Sequence, residues 1–194
     1  MGTASGECEG VRGAGSEGAR KPLPATGHPV YAGAMLTVLI AAESDAEPVV
    51  ATFRALMAAT LDGFVSDVIV RGDRALDTIC DPAGAVRVDD GALPAALAGA
   101  RGDWVLALEA GAAPLDGWMA PVARHAERSR RPARFTVAER SLWRALTGRA
   151  GRPLRAGLLL PVDEARNAAS GGAEGMARGR TTIRLDARLA PPAG

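Results

Sequence analysis

Four short apolar runs punctuate the first two thirds of the chain: Leu36 to Ala42, Phe64 to Val70, the pair Val86 and Val88, and Trp104 to Leu108. Between them lie segments whose apolar residues recur at helical spacing. This alternation is the feature that most narrows the fold. Val49, Val50, Phe53, Leu56, Met57 and Leu61 follow a helical period, and Ser44 or Asp45 is placed to cap that helix. Runs that are apolar throughout mark strands buried on both faces, and helices between them imply parallel β-α-β units. The expected fold class is therefore α/β, with a mostly parallel Rossmann-like sheet and helices on both faces.

Further elements are expected along the chain. A short helix spans about Arg74 to Cys80 and is broken at Asp81-Pro82, and an Ala-rich helix spans Ala92 to Ala100. Another helix, carrying Trp118, Val122 and His125 on one side, follows Pro114. Beyond Arg130 the pattern loosens. An edge strand is expected at Phe135 to Val137, a helix at Leu142 to Leu146, and strands at Gly157 to Leu160 and Thr182 to Leu185. Residues 1–34 are rich in Gly, Ala, Ser, Glu, Arg and Pro. Such a leader buries too little apolar surface to offset its ordering entropy, so it is expected to be disordered. Met35 is an alternative start of translation. The organisation expected is this leader, one domain over 35–189, and a tail over 190–194.

Composition excludes several function classes. With 194 residues, of which 47% are hydrophobic, the chain suffices for one substantial core. A net charge of +1 argues against a nucleic-acid binder, which concentrates basic charge on one face. Cys8 and Cys80 lack metal-type spacing, and with no disulfide framework a reducing, cytoplasmic setting is expected. The apolar run Val30 to Ala42, roughly 13 residues, is too short to span a bilayer. It follows Arg20 and Lys21 as a signal peptide would, but its β-forming centre and the helix start behind it favour a strand. No transmembrane segment is read, which leaves room for peripheral contact with a membrane.

No G-x-G-x-x-G follows the first strand, and neither a phosphate-cradling G-x-x-x-x-G-K-[ST] nor a G-x-S-x-G elbow occurs. His28 lies in the leader and His125 on a helix, so no histidine pair is placed to bind zinc. The two Arg-Gly-Asp triplets, at 71–73 and 101–103, are the chance product of a chain rich in those residues. Ligands of open parallel sheets bind beyond the carboxyl ends of the strands. Here those ends carry Ala41-Ala42-Glu43, Arg71-Gly72-Asp73 and Glu109-Ala110-Gly111. Three acids from three strand ends form the candidate binding edge, although each also suits a loop or helix cap.

Three stretches carry a family resemblance: Met35 to Glu43 with the helix behind it, Val65 to Val70 followed by Asp77-Thr78, and Ala100 to Gly111 with Gly117-Trp118 beyond. Together they resemble the family-2-type glycosyltransferases of the GT-A fold, and short bacterial members most of all. Gly157 to Pro161 and the Gly171-Gly172 turn resemble the family's acceptor-side strand and loop. The likeness extends over roughly 150 residues. It implies transfer of a sugar from a nucleotide-diphosphate donor to an acceptor, with Mg or Mn as cofactor. It places the donor against Ala41, Ala42, Glu43, Gly72, Asp73, Asp77 and Glu109, with Glu109 as metal ligand. Glu174 is the loose candidate for the catalytic carboxylate.

The departures from the family pattern fall on the same residues. Gly72 stands where the second strand's turn has a nucleotide-contacting Asp, with Asp73 one place later. Glu109-Ala110-Gly111 stands where the D-x-D motif ends in a carboxylate, and Ala92-Leu93-Pro94-Ala95 where polar residues face the diphosphate. A hard divalent cation wants oxygen ligands to neutralise the departing diphosphate. The alternative implied by these departures is a non-catalytic descendant of the fold that binds a ligand or partner.

Overall fold

The computed structural model describes residues 35–138 and 154–192. The leader and the helix expected at Leu142 to Leu146 lie outside the described residues. Strands β1 (Leu36–Ala41), β2 (Val65–Arg71), β3 (Val86–Val88) and β4 (Trp104–Glu109) alternate with helices α1 (Ala46–Leu61), α2 (Asp77–Ala83) and α3 (Leu93–Ala98). The two-residue strand β5 (Ala113–Pro114), helix α4 (Met119–Arg128) and strand β6 (Ala133–Val137) follow. After residue 153 come β7 (Leu158–Pro161), α5 (Val162–Ala168), the single turn α6 (Gly172–Gly175) and β8 (Ile183–Ala190).

All eight strands join one sheet in the order β3-β2-β1-β4-β7-β6-β8-β5. The first four are parallel to one another. β7 then runs antiparallel to both β4 and β6, β6 and β8 pair parallel, and β5 pairs antiparallel with β8. The sheet is thus α/β with a parallel Rossmann-like half and a mixed second half. β6 differs from its expected edge position: it lies between β7 and β8, with Ala133 and Phe135 buried.

The period of two along β1 explains why its sequence is apolar apart from Thr37. Leu36, Val38 and Ile40 enter a core beneath α1, α2 and α4 with Leu56, Cys80, Leu106, Leu108 and Val122. Leu39 points the other way, into a second core with Val105, Ala107, Leu93, Leu97, Ala165 and Met176 from α3, α5 and the turns after them. A strand covered on both faces has no solvent side on which to place polar residues. In the first core Trp118 packs edge-on to Phe64 (5.6 Å between ring centres) and tilted against Phe135 (6.2 Å).

Local signals account for the boundaries. Asp45 caps α1, its side chain accepting from the Glu47 amide at 3.1 Å. Asp81-Pro82 does not break the next helix. α2 continues through Pro82 to Ala83 and stops at Gly84, whose φ of 66° is the left-handed cap conformation. The amide that Pro82 lacks would have reached the carbonyl of Thr78, an exposed residue at which water can take its place. Two of the residues expected as tail make contacts. Ala190 still pairs with Ala113 in the sheet, and Pro192 packs onto Gly111.

At the amino ends of the parallel strands the Asp67 carboxylate gathers several donors. It accepts from the Thr37 hydroxyl, the Ser66 hydroxyl and the Arg101 amide at 2.9 to 3.0 Å, and from the Arg101 guanidinium. Burial pushes this carboxyl up, but these bonds together hold it below its ordinary value. Gly102 closes the arrangement, its amide donating to Thr37 at 3.1 Å. A Cβ at Gly102 would lie 2.4 Å from the Thr37 nitrogen. The second Arg-Gly-Asp triplet is therefore built into the sheet.

Candidate functional site

The carboxyl ends of the parallel strands are laced together by backbone. The Ala42 amide donates to the Arg71 carbonyl (2.8 Å), Asp73 to Glu43 (2.9 Å), Gly72 to Val88 (3.2 Å) and Ala110 to Ala41 (2.9 Å). Beyond this edge opens a cleft of about 600 Å³. β1 and its loop contribute Ala41, Ala42 and Glu43, the start of α1 contributes Asp45, Glu47 and Pro48, and β2 contributes Arg71. Glu109, Ala110 and Gly111 from β4 and its loop complete one wall, and Leu154, Glu174 and Pro192 close the other side.

Of the residues singled out from sequence, Ala41, Ala42, Glu43, Glu109 and Glu174 line this cleft, whereas Gly72, Asp73 and Asp77 are not among its lining residues. The Asp73 carboxylate instead caps the 3-10 turn Arg74–Leu76, accepting from the Ala75 amide at 2.8 Å. Asp77 pairs with Arg87 at 2.8 Å and reaches Arg74 at 3.8 Å. At Gly72 there is no room for a side chain: a Cβ would sit 2.7 Å from Leu76 Cδ1 and 2.8 Å from the Glu43 carbonyl oxygen. His125, read as a structural helix residue, bonds through Nε2 to the Arg131 carbonyl (2.8 Å) and packs edge-on to Trp104.

The loop after β4 is closely held. Gly111 takes a φ of 87°, and its amide donates to both the Pro48 carbonyl and the Thr52 hydroxyl at 2.9 Å. Thr52, fully buried in α1, donates in turn to Ala112 at 3.1 Å. Thr52 was not singled out from the sequence, because one threonine on a helix face carries no signal until the loop is seen packed on it. Arg71 was noted only within its triplet. In the structure its guanidinium donates to the Ala42 carbonyl (3.3 Å) and lies 3.3 Å from Asp90, while its Nε is buried without a hydrogen bond.

The lining is rich in carboxylates, yet no group of three or more His, Cys, Asp or Glu among the described residues is arranged to hold a metal ion. Gly111, in the lining beside Glu109, offers no side-chain ligand. The donor set of the described residues alone does not fit a metal centre.

No protein-family model matches the sequence, and no curated protein matches it. Solved structures do match. Glucosyl-3-phosphoglycerate synthase from Mycobacterium tuberculosis, in complex with Mg2+ and uridine-diphosphate, superposes with a TM-score of 0.55 at 15% identity, over 85% of this chain and 74% of that one. Mannosyl-3-phosphoglycerate synthase from Rubrobacter xylanophilus gives 0.54 at 12%, over 84% and 68%. A mannosyltransferase from Pyrobaculum calidifontis, in complex with GDP-Man and Mn2+, gives 0.58 at 14%, over 83% of this chain but 57% of its own length. The fold is GT-A-like. At these identities the likeness establishes the fold alone. No helix among the described residues is long and apolar enough to cross a membrane.

Proposed function

We propose that the protein is a glycosyltransferase whose cleft takes a nucleotide-diphosphate sugar and transfers the sugar slowly to an acceptor. The observation that carries this reading is the convergence of Glu43, Glu109 and Glu174 with Arg71 on one cleft at the carboxyl edge of a GT-A-like sheet. Carboxylates accept bidentate hydrogen bonds from vicinal hydroxyls, which suits ribose and hexose alike. Glu43, on the loop after β1, is assigned to the base or ribose, and Glu109 to the donor's sugar hydroxyls. Glu174 comes from the C-terminal half of the chain and lines the same cleft. An inverting transfer needs a carboxylate to take the acceptor hydroxyl's proton, and Glu174 is assigned that role.

Isothermal titration with a panel of uridine and guanosine diphosphate sugars, with and without Mn2+, tests the reading. Heat with at least one donor is expected, weakened in Glu109→Ala. Silence across the whole panel would sink it.

A second reading, binding without transfer, has its own support. Gly111 replaces the family's final carboxylate, and Pro48 and Pro192 pack around that position. Long incubation with a bound donor, followed by mass spectrometry for released nucleotide, separates the two. Accumulating nucleoside diphosphate ends the second reading, and bound but intact donor favours it.

A further inference from the structure

The register of the parallel strands places Arg71, Ala41 and Glu109 in one row across the sheet edge. Side chains in such a row leave the same face of the sheet. Leu39 and Ile69, two residues earlier on β1 and β2, confirm which face by entering the second core. Ala41 contributes only a methyl group between its two neighbours. The result is a notch with a guanidinium on one side and a carboxylate on the other, their backbones roughly 10 Å apart.

The charges lining the cleft are unevenly placed. Five carboxylates, of Glu43, Asp45, Glu47, Glu109 and Glu174, face a single cation among the described lining residues, Arg71. Among the described lining residues, Arg71 is thus the point that attracts an anionic group of a ligand. Arg71 also has hydrogen-bonding capacity to spare. Guanidinium carries five N–H donors, and one bond is made, to the Ala42 carbonyl at 3.3 Å. Its contact with Asp90 at 3.3 Å leaves Nε without hydrogen-bond geometry. The Asp90 side chain is 70% exposed, so it is free to turn into solvent when a better acceptor arrives.

Resting on the proposed donor reading, we propose that Arg71 is the anion anchor of this cleft and seats a phosphate group of the donor without a metal ion. A guanidinium grips phosphate through paired N–H donors, and among the described residues no metal cage stands beside it to share that task. The hydroxyl-bearing remainder of the ligand then extends past Ala41 toward Glu109 and Glu174. The ion pair with Asp90 competes with the phosphate and lowers affinity.

Titrations of the full chain with uridine diphosphate, guanosine diphosphate, their sugars and inorganic pyrophosphate, each in EDTA and again in Mn2+, test this. Binding is expected to persist in EDTA, to fall about tenfold or more in Arg71→Gln, and to recover in part in Arg71→Lys. Asp90→Asn is expected to tighten binding a few-fold. Two variants that move affinity in opposite directions, with melting curves kept alongside, exclude a folding defect as the cause. Donor binding that requires Mn2+ and is indifferent to Arg71→Gln overturns the anchor while leaving the donor reading intact. Pyrophosphate binding that depends on Arg71, with no nucleotide sugar bound, keeps the anchor and overturns the donor reading. No binding of any probe overturns both.

Discussion

At Gly72 a Cβ would meet the Glu43 carbonyl oxygen at 2.8 Å, and backbone cannot swing aside as a side-chain tip can. The aspartate that the family resemblance would put at this turn has no room here, since the loop after β1 occupies the space it would need. Gly72→Asp is expected to destabilise the fold by about 2 to 3 kcal/mol, read from urea melts, without gaining nucleotide affinity. Gly111 is constrained differently, by its left-handed backbone and by Pro192 and Pro48 at 3.2 to 3.4 Å. Gly111→Asp carries a backbone penalty of about 1 to 2 kcal/mol and is expected to bring no Mn2+ binding by titration. Thr52 holds this loop from below, so Thr52→Val should cost about 1 to 2 kcal/mol by leaving buried groups under-bonded. An unchanged melting point in Thr52→Val would contradict that role.

Among the elements, β2 joins the two ends of the sheet. Its amino end holds the Asp67 network and its carboxyl end presents Arg71 to the cleft. Because the folded Asp67 carboxyl titrates below its ordinary 3.8, its contribution to stability is complete above that value. It is lost as pH falls through the depressed folded value. Asp67→Asn should therefore melt lower than the parent above pH 3.8, and the difference should shrink as the solution is acidified below it. A gap that stays constant with pH would remove the charge from the explanation. The boundaries of α2 and β6 show where element-level reading stops. Asp81-Pro82 looks like a break, but a proline in a last turn is tolerated when Gly84 supplies the cap. Phe135 sits in a short apolar segment that reads as an edge strand, and only pairing with both β7 and β8 makes it interior.

For the whole molecule, a donor that binds the folded chain alone must raise its melting point by mass action, about 2.7 kcal/mol at a hundredfold excess over Kd. Thermal shift with the donor panel therefore gives a check independent of heat. The α/β alternation, the first four strands and the α1 cap were legible in the sequence because each is a local pattern of apolar period and capping chemistry. Glu43 and Glu109 were legible for the same reason, being acids at the ends of apolar strands. The sequence by itself pointed to parallel strands, since short strands alternate with helices, and to cover on both faces for β1 and β4, whose runs are almost wholly apolar. Which acids share a cleft was decided by tertiary structure. Turn packing directed Asp73 and Asp77 to caps and ion pairs, register set Arg71 beside Ala41, and the chain end brought Pro192 onto Gly111. Contacts between residues far apart in sequence leave no period to read, and the character of the site rests on them.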